Sequence, residues 1–292
     1  MKTIGFVGLG VMGLPMAQNL LLKSNHTVVG FDVVPEKLKL FQTFGGVPAE
    51  NLEEVYRKAD ILIQMLPTHQ IIRDSIEKAI QYGKPGNIIV DMSSTAPEII
   101  QELYEKAKKH GIFLLDSPVS GGDVLAQKGA LAIMVGGDAD AFAQVKDILS
   151  CMGNPVYTGK SGSGSLSKLV NNMLVGASVV GLAEAYAFAE KCGLDLQLLF
   201  NATHTGFVGG PMYESKAPKI IARDFAPGAR IAVHRKDIIN ACNYAQQLGI
   251  ELPMTKFVLK VMNWMDATGK IDEDQSALVK YFEESMDVCL ES

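Results

Sequence analysis

Gly8-Leu9-Gly10-Val11-Met12-Gly13 follows the apolar run Thr3-Ile4-Gly5-Phe6-Val7 and leads directly into Leu14-Pro15-Met16-Ala17-Gln18-Asn19-Leu20-Leu21. A strand, a glycine turn and an amphipathic helix in that order form the unit that holds a dinucleotide pyrophosphate. Glycine-rich turns are common, so the context carries the reading. Asp32 lies 19 positions beyond Gly13, at the end of a second strand over Thr27-Val28-Val29-Gly30-Phe31, where an acidic side chain meets the ribose. Gly8 permits the tight turn, Gly10 lets the backbone approach the phosphates, and Gly13 lets helix and strand pack closely. Leu9, Val11 and Met12 complete the loop, and the N–H groups at the helix start supply the anion site. The competing reading is a βα turn in some other α/β protein, and Asp32 in register argues against it.

The same alternation continues downstream. Strands are predicted over 3–7, 27–32, 60–65, 88–92, 112–115, 131–135 and 155–157, most of them nearly continuous in apolar residues. That pattern marks strands covered on both faces in a largely parallel sheet. Helices are predicted between them over 35–43, 51–57, 69–81, 96–109 and 138–150, the last with Asp138 as N-cap. The sum is a Rossmann-type doubly wound α/β sheet. After Gly159-Lys160-Ser161-Gly162-Ser163-Gly164 no convincing strand follows. Residues 165–191 read as one long helix rich in glycine and alanine, a composition that lets neighbouring helices approach closely. Further helices are expected over 195–204, 213–221, 229–247, 253–268 and 273–288, with Pro253 suited to a first helical turn. The chain therefore divides into a dinucleotide-binding domain, 1–163, and an all-α domain for substrate and oligomerisation, 164–292, joined through the long helix.

With 292 residues, 48% of them apolar and 20% charged, the chain has material for two ordinary cores. A formal net charge of −5 without charge blocks points to neither nucleic acid nor an anionic membrane surface. No apolar stretch is expected to approach membrane-spanning length, and the N-terminus runs straight into a strand without a basic leader, which reads as a cytoplasmic protein. Cys151, Cys192, Cys242 and Cys289 show no CxxC spacing, so no metal site or disulfide framework is expected.

Three places carry chemistry. The carboxylate of Asp32 accepts ribose hydroxyls and repels a 2′-phosphate, which favours NAD over NADP; Val33 and Val34 bring no cation to reverse that choice. Asp32 could instead cap the helix near Pro35, and both roles can coexist. Lys168 and Asn172 share a helix face at i, i+4 spacing. A lysine near the helix start opposes the macrodipole and gives up its proton more readily there, so Lys168 suits general acid/base work, and Asn171 with Asn172 makes a polar cluster that poor helix formers do not form by propensity alone. A solvated surface lysine is the bland alternative. Finally, Asp116-Ser117-Pro118-Val119-Ser120-Gly121-Gly122 follows a strand at the carboxyl edge of the sheet, where Ser120, Gly121 and Gly122 present consecutive N–H groups to a small carboxylate or simply make a turn.

With these residues in place the chain resembles the β-hydroxyacid dehydrogenase family, which includes 3-hydroxyisobutyrate dehydrogenase and tartronate semialdehyde reductase. Four motifs carry the resemblance: the segment from Gly5 to Ala17, Asp116 to Gly122, Gly162-Ser163-Gly164 through Lys168 to Asn171-Asn172, and Lys236-Asp237-Ile238. Shorter echoes are Met65-Leu66-Pro67, Asp91-Met92-Ser93-Ser94-Thr95 and Ile133-Met134-Val135-Gly136-Gly137. The resemblance implies Lys168 as catalytic acid/base with Asn172 beside it, Ser120, Gly121 and Gly122 as the carboxylate cradle, and Met65, Leu66, Pro67 and Thr95 along the nucleotide. It also implies that Lys236 serves the nicotinamide end. Ala130, Ala132 and Arg235 depart from the family's common pattern, which leaves the reaction type intact and opens the question of the substrate's tail.

The expected function is hydride transfer between NAD and the hydroxyl-bearing carbon of a small β-hydroxy acid, or reduction of the matching semialdehyde, by a homo-oligomer, dimer or tetramer, with no nucleic-acid or membrane partner. Arg235 beside Lys236, with the polar segment 203–210, suggests a substrate whose far end is anionic or polar. The alternatives are a 6-phosphogluconate-type oxidative decarboxylase, against which Asn171 in place of that group's histidine counts, and a non-catalytic nucleotide-binding module, against which Lys168 counts. His69, His110 and His204 show no ligand spacing, and His234 is placed behind the site at most.

Overall fold

The computed structural model describes residues 1–290 and divides by its internal contacts into two units, Met1–Lys168 and a second from Leu169 onward. The first is built on β1 (Thr3–Val7), α1 (Gly13–Lys23), β2 (Thr27–Phe31), α2 (Pro35–Thr43), β3 (Val47–Pro48), α3 (Leu52–Lys58), β4 (Ile61–Gln64), α4 (His69–Tyr82), β5 (Ile88–Asp91), α5 (Pro97–Lys109), β6 (Phe113–Asp116), β7 (Val119–Ser120), α6 (Gly122–Lys128), β8 (Leu131–Gly136), α7 (Ala139–Ser150) and β9 (Gly153–Gly159). The strands form one sheet in the order β3-β2-β1-β4-β5-β6-β8-β7, with β9 on β8. The six strands from β3 to β6 are parallel; β8 runs antiparallel to β6 and parallel to β9.

The apolar runs are continuous because both faces of the sheet are covered. Ile61 and Ile63 face one core with Ile88, Val90 and Leu115, while Leu62 faces the other with Ile89 and Leu114. Asp138 caps α7 by accepting the N–H groups of Asp140 and Ala141, as its position predicts. Three elements differ from expectation. The two-residue strands β3 and β7 and the short helix α6 are too brief to leave a periodic signal.

The remaining elements are helical: α8 (Ser163–Lys191), which begins in the first unit, then α9 (Leu196–Thr203), α10 (Pro211–Ile221), α11 (Ile231–Gln247), α12 (Pro253–Ala267), a 3-10 turn over Gln275–Leu278, and α13 (Val279–Met286). The single helix predicted over 273–288 is thus a tight turn followed by a shorter helix. By length and composition α8 is long and apolar enough to cross a membrane, contrary to the expectation that no stretch is, because its many small residues add apolar character without a strongly hydrophobic run. Its residues Val179, Val180, Ala183, Tyr186 and Ala187 are buried in the core of the second unit, with Ile238, Val258 and Met262. That packing makes it a core helix of this unit.

Candidate functional site

In the glycine turn each glycine has a different reason. Gly8 holds φ at +91°, and a Cβ there would lie 2.3 Å from the Met65 carbonyl oxygen. At Gly13 a Cβ would lie 1.9 Å from the Gly8 carbonyl oxygen, so strand and helix meet only because the side chain is absent. A Cβ on Gly10 would meet no protein atom within 4 Å. Packing therefore does not require glycine at position 10, whereas close approach of a ligand backbone or phosphate does. In the opening turn of α1 the Leu14 N–H donates to the Gly10 carbonyl and the Met16 N–H to the Met12 carbonyl, and Pro15 has none, so this turn offers an anion the Gly13 N–H and the positive end of the helix dipole. These features fit a dinucleotide pyrophosphate.

Asp32 is tied into this loop. Leu9 donates its N–H to Asp32 Oδ2 at 2.6 Å, and Val34 donates to Oδ1 at 2.8 Å. It is not the side-chain cap of α2, whose N-cap is Val34. The carboxylate thus holds the glycine turn at the end of β2, and its remaining lone pairs suit ribose hydroxyls.

Across the carboxyl ends of the neighbouring strands, Gln64, Asp91 and Asp116 lie in register. Asp91 accepts from Gln64 Nε2 at 3.1 Å, from Ser93 N–H at 3.2 Å and from Thr95 Oγ1 at 2.6 Å. The Thr95 hydroxyl thus gives its proton to Asp91, which fixes the side chain beyond the end of β5. Ser93 Oγ accepts the Leu66 N–H at 2.9 Å, which fixes the Met65-Leu66-Pro67 loop, and Pro67 is exposed.

Ser120 closes β7, and Gly121 and Gly122 follow with φ of +137° and +65°, conformations that only glycine takes without strain. The end of the following α6 is anchored by Asn19 Nδ2, which donates to the carbonyls of Ala126 and Gln127. Asp116, 1% exposed, accepts the Gly162 N–H at 2.9 Å and the Ser165 N–H at 2.8 Å. Burial pushes its carboxyl up to about 6, against the pull of these N–H donors.

Lys168 is the sixth residue of α8, since the helix begins at Ser163 rather than 165. The macrodipole acts within the first turn. The electrostatic reason expected for Lys168 is accordingly weakened, and Asp116 occupies the N–H groups at that end.

In the second unit Asn172 is 6% exposed and donates from Nδ2 to Asp237 Oδ2 at 2.7 Å, while its Oδ1 accepts from Asn171 Nδ2 at 3.1 Å. His234 Nε2 lies 2.9 Å from the Asn172 carbonyl oxygen, and Gln275 Nε2 lies 2.9 Å from His234 Nδ1. With Gln275 as donor, Nε2 carries the imidazole hydrogen. Asp237 and His234 were not foreseen as partners of Asn172, nor Gln275 as the partner of His234. The i, i+3 spacing of His234 and Asp237 on one face of α11 is the signal that could have found two of them; Gln275 gives none. Lys236 Nζ is 3.6 Å from Asp237 Oδ1, with its side chain 39% exposed.

Arg235 goes elsewhere. Its Nε donates to Asn263 Oδ1 at 2.7 Å and its guanidinium is 3.3 Å from Asp266 Oδ2, so it clamps α11 to α12. This clamp favours a structural role for Arg235 over the substrate-anion contact expected of it. Among the described residues no group of three or more His, Cys, Asp or Glu side chains could hold a metal ion.

Residues 3–160 match the family described as the NAD binding domain of 6-phosphogluconate dehydrogenase, and residues 162–282 match the NAD-binding domain of NADP-dependent 3-hydroxyisobutyrate dehydrogenase. The chain belongs to the β-hydroxyacid dehydrogenase family. These are NAD(P)-linked oxidoreductases acting on a hydroxyl-bearing carbon. The chain is 35% identical to 2-(hydroxymethyl)glutarate dehydrogenase of Eubacterium barkeri, over 96% of this chain and 95% of the relative. It is 34% identical to 2-hydroxy-3-oxopropionate reductase of Escherichia coli, over 96% of this chain and 97% of the relative. Among solved structures, 3-hydroxyisobutyrate dehydrogenase of Mycobacterium tuberculosis with L-serine superposes with a TM-score of 0.87 at 30% identity, covering 96% of this chain and 99% of that one.

Proposed function

We propose that this β-hydroxyacid dehydrogenase uses NAD in preference to NADP, that Lys168 is its general acid/base and that Asn172 positions the reacting oxygen. Asn172, one helical turn beyond Lys168, is fixed from both ends of its amide by Asp237 and Asn171, and this observation carries the residue roles. Bound NAD supplies the hydride acceptor at its nicotinamide ring. In oxidation Lys168 Nζ takes the proton of the substrate hydroxyl as the carbon is oxidised; in reduction it returns a proton to the forming alkoxide. Asn172 has two amide hydrogens, of which one goes to Asp237, so the other serves an oxygen of the substrate.

Gly8, Leu9, Gly10, Val11, Met12 and Gly13 hold the pyrophosphate in this reading, and Asp32 takes the adenosine ribose. Met65, Leu66, Pro67 and Thr95 flank the nucleotide, and Lys236 serves the nicotinamide end. Ser120, Gly121 and Gly122 receive the substrate carboxylate through backbone N–H groups. Homo-oligomeric assembly is supported by Val170, Leu174 and Phe188, large apolar side chains exposed along α8.

The test is turnover of 3-hydroxyisobutyrate and 2-(hydroxymethyl)glutarate with NAD or NADP, and of 2-hydroxy-3-oxopropionate with the reduced cofactors, followed by NAD(P)H absorbance. Turnover of at least one with NAD favoured supports the proposal. Failure on all three, or a preference for NADP, contradicts it.

A further inference from the structure

The start of α8 is tied to a residue 46 positions before Gly162. Asp116 ends β6 and receives the Gly162 and Ser165 N–H groups on its two carboxylate oxygens, one bond to each. Gly164 sits between them, where a Cβ would lie 2.3 Å from the Asp116 carbonyl oxygen and 2.5 Å from that of Met134. The first turn is therefore seated directly on the ends of β6 and β8, with no side chain between. Ser165 stands one helical turn before Lys168, so any shift of that turn moves the lysine.

We propose that Asp116 is a positioning residue for the reaction: its ionised carboxylate locks the first turn of α8 to the sheet and so fixes the place from which Lys168 exchanges its proton. The inference rests on the role proposed for Lys168. An ionised carboxylate accepts both N–H groups strongly, and charge-assisted bonds of this kind are about twice as strong as neutral ones. Once protonated, one oxygen becomes a hydroxyl and a poor acceptor, so one end of the lock is lost.

The pH at which this occurs follows from the surroundings. Burial raises the Asp116 carboxyl to about 6, with the Ser165 and Gly162 N–H groups opposing. Titratable groups on the elements around it are its register partner Asp91 on β5 and Lys168 on the helix it caps. β8 meets it with the backbone of Gly136, and α5 and α7 cover β6 with apolar residues such as Leu103 and Val145. Because the folded value lies above the ordinary 3.8, the native state binds this proton more readily than the unfolded chain does. Acidification through about 6 thus unlocks the turn without destabilising the fold through this group. Activity and stability separate.

The experiment compares wild type with Asp116→Asn. The probe is 2-hydroxy-3-oxopropionate with NADH, or whichever acid of the panel above is turned over with NAD. The neutral amide should fold, since it removes a buried charge, yet it places an NH2 group against one of the two N–H donors. The expected result is a kcat lowered roughly 10- to 100-fold, the scale of a misplacement of ~1 Å. NADH affinity stays unchanged, and the wild-type acid limb near pH 6 is absent from the variant's kcat profile. A second measurement needs no variant: amide hydrogen exchange over residues 162–168 in wild type, corrected for intrinsic rates, should show less protection at pH 5 than at pH 7.5. An Asp116→Asn enzyme with wild-type kcat and the same acid limb overturns the inference, as does equal protection of that segment at the two pH values. If Lys168→Ala abolishes turnover while Asp116→Asn behaves as wild type, only this inference falls. If Lys168→Ala retains turnover, the proposed mechanism falls first.

Discussion

Asn172 Nδ2 donates to Asp237 Oδ2 at 2.7 Å, and both side chains are almost wholly buried, at 6% and 5% exposure. The bond joins α8 to α11 and leaves the Asn172 amide only one orientation. Asp237→Ala removes the acceptor and frees that amide. Turnover is expected to fall about 10²-fold through lost positioning, and stability by about 1–3 kcal/mol for the unpaired buried group. Steady-state kinetics and denaturant titration check the two effects separately; unchanged kcat in the variant would show that the Asn172 orientation does not matter.

Asp32 has two tasks, and substitutions separate them. Wild type is expected to show a higher kcat/KM with NAD than with NADP. Asp32→Ala combined with Val33→Arg should shift the ratio towards NADP, because a carboxylate that repels the 2′-phosphate is replaced by a cation that attracts it. Asp32→Ala alone should weaken both cofactors, since the Leu9 N–H loses its acceptor and the glycine turn its anchor. Titration of cofactor fluorescence measures each constant.

Arg235→Ala is expected to leave the relative kcat/KM of methyl-ended and anion-ended substrates unchanged. Its partners Asn263 and Asp266 lie on α12, and the Arg235–Asp266 pair is partly exposed, at 30% and 47%. The loss should appear instead as about 0.2–1 kcal/mol of stability, the range of exposed ion pairs. A changed substrate ratio would return Arg235 to the site.

Lys216 and Asp274 form a buried pair at 2.8 Å within the second unit. Burial alone would raise the Asp274 carboxyl, but the Lys216 ammonium and the N–H groups of Ser276 and Ala229 hold it below its ordinary value of 3.8. A depressed carboxyl contributes stability that is present above its unfolded value and lost as pH falls through the folded one. Its contribution should therefore fade only below about pH 4. Lys216→Met, which leaves Asp274 buried without its cation, is expected to cost about 3–5 kcal/mol at neutral pH, measurable as a lowered unfolding midpoint.

What the sequence made legible was local or periodic. The glycine turn, the apolar strands and the Asp138 cap are specified by neighbours within a few residues, and each appears where expected. What it concealed depends on distant partners. Ser163 and Gly164 are weak helix formers, and α8 starts there because Asp116, far earlier in the chain, accepts the N–H groups around them. His234 reads as an ordinary histidine until Asn172 and Gln275, 62 and 41 positions away, are brought to its two nitrogens. Arg235 reads as a free cation beside Lys236 for the same reason: its partners are on another helix.

The most direct measurement is turnover by Lys168→Ala beside wild type, with NAD binding measured in parallel. Removing a positioned acid/base should lower kcat by about 10²–10⁴-fold while NAD affinity stays near wild type. A correctly folded variant that keeps near-full turnover would contradict the proposed role of Lys168 and the proton transfer built on it.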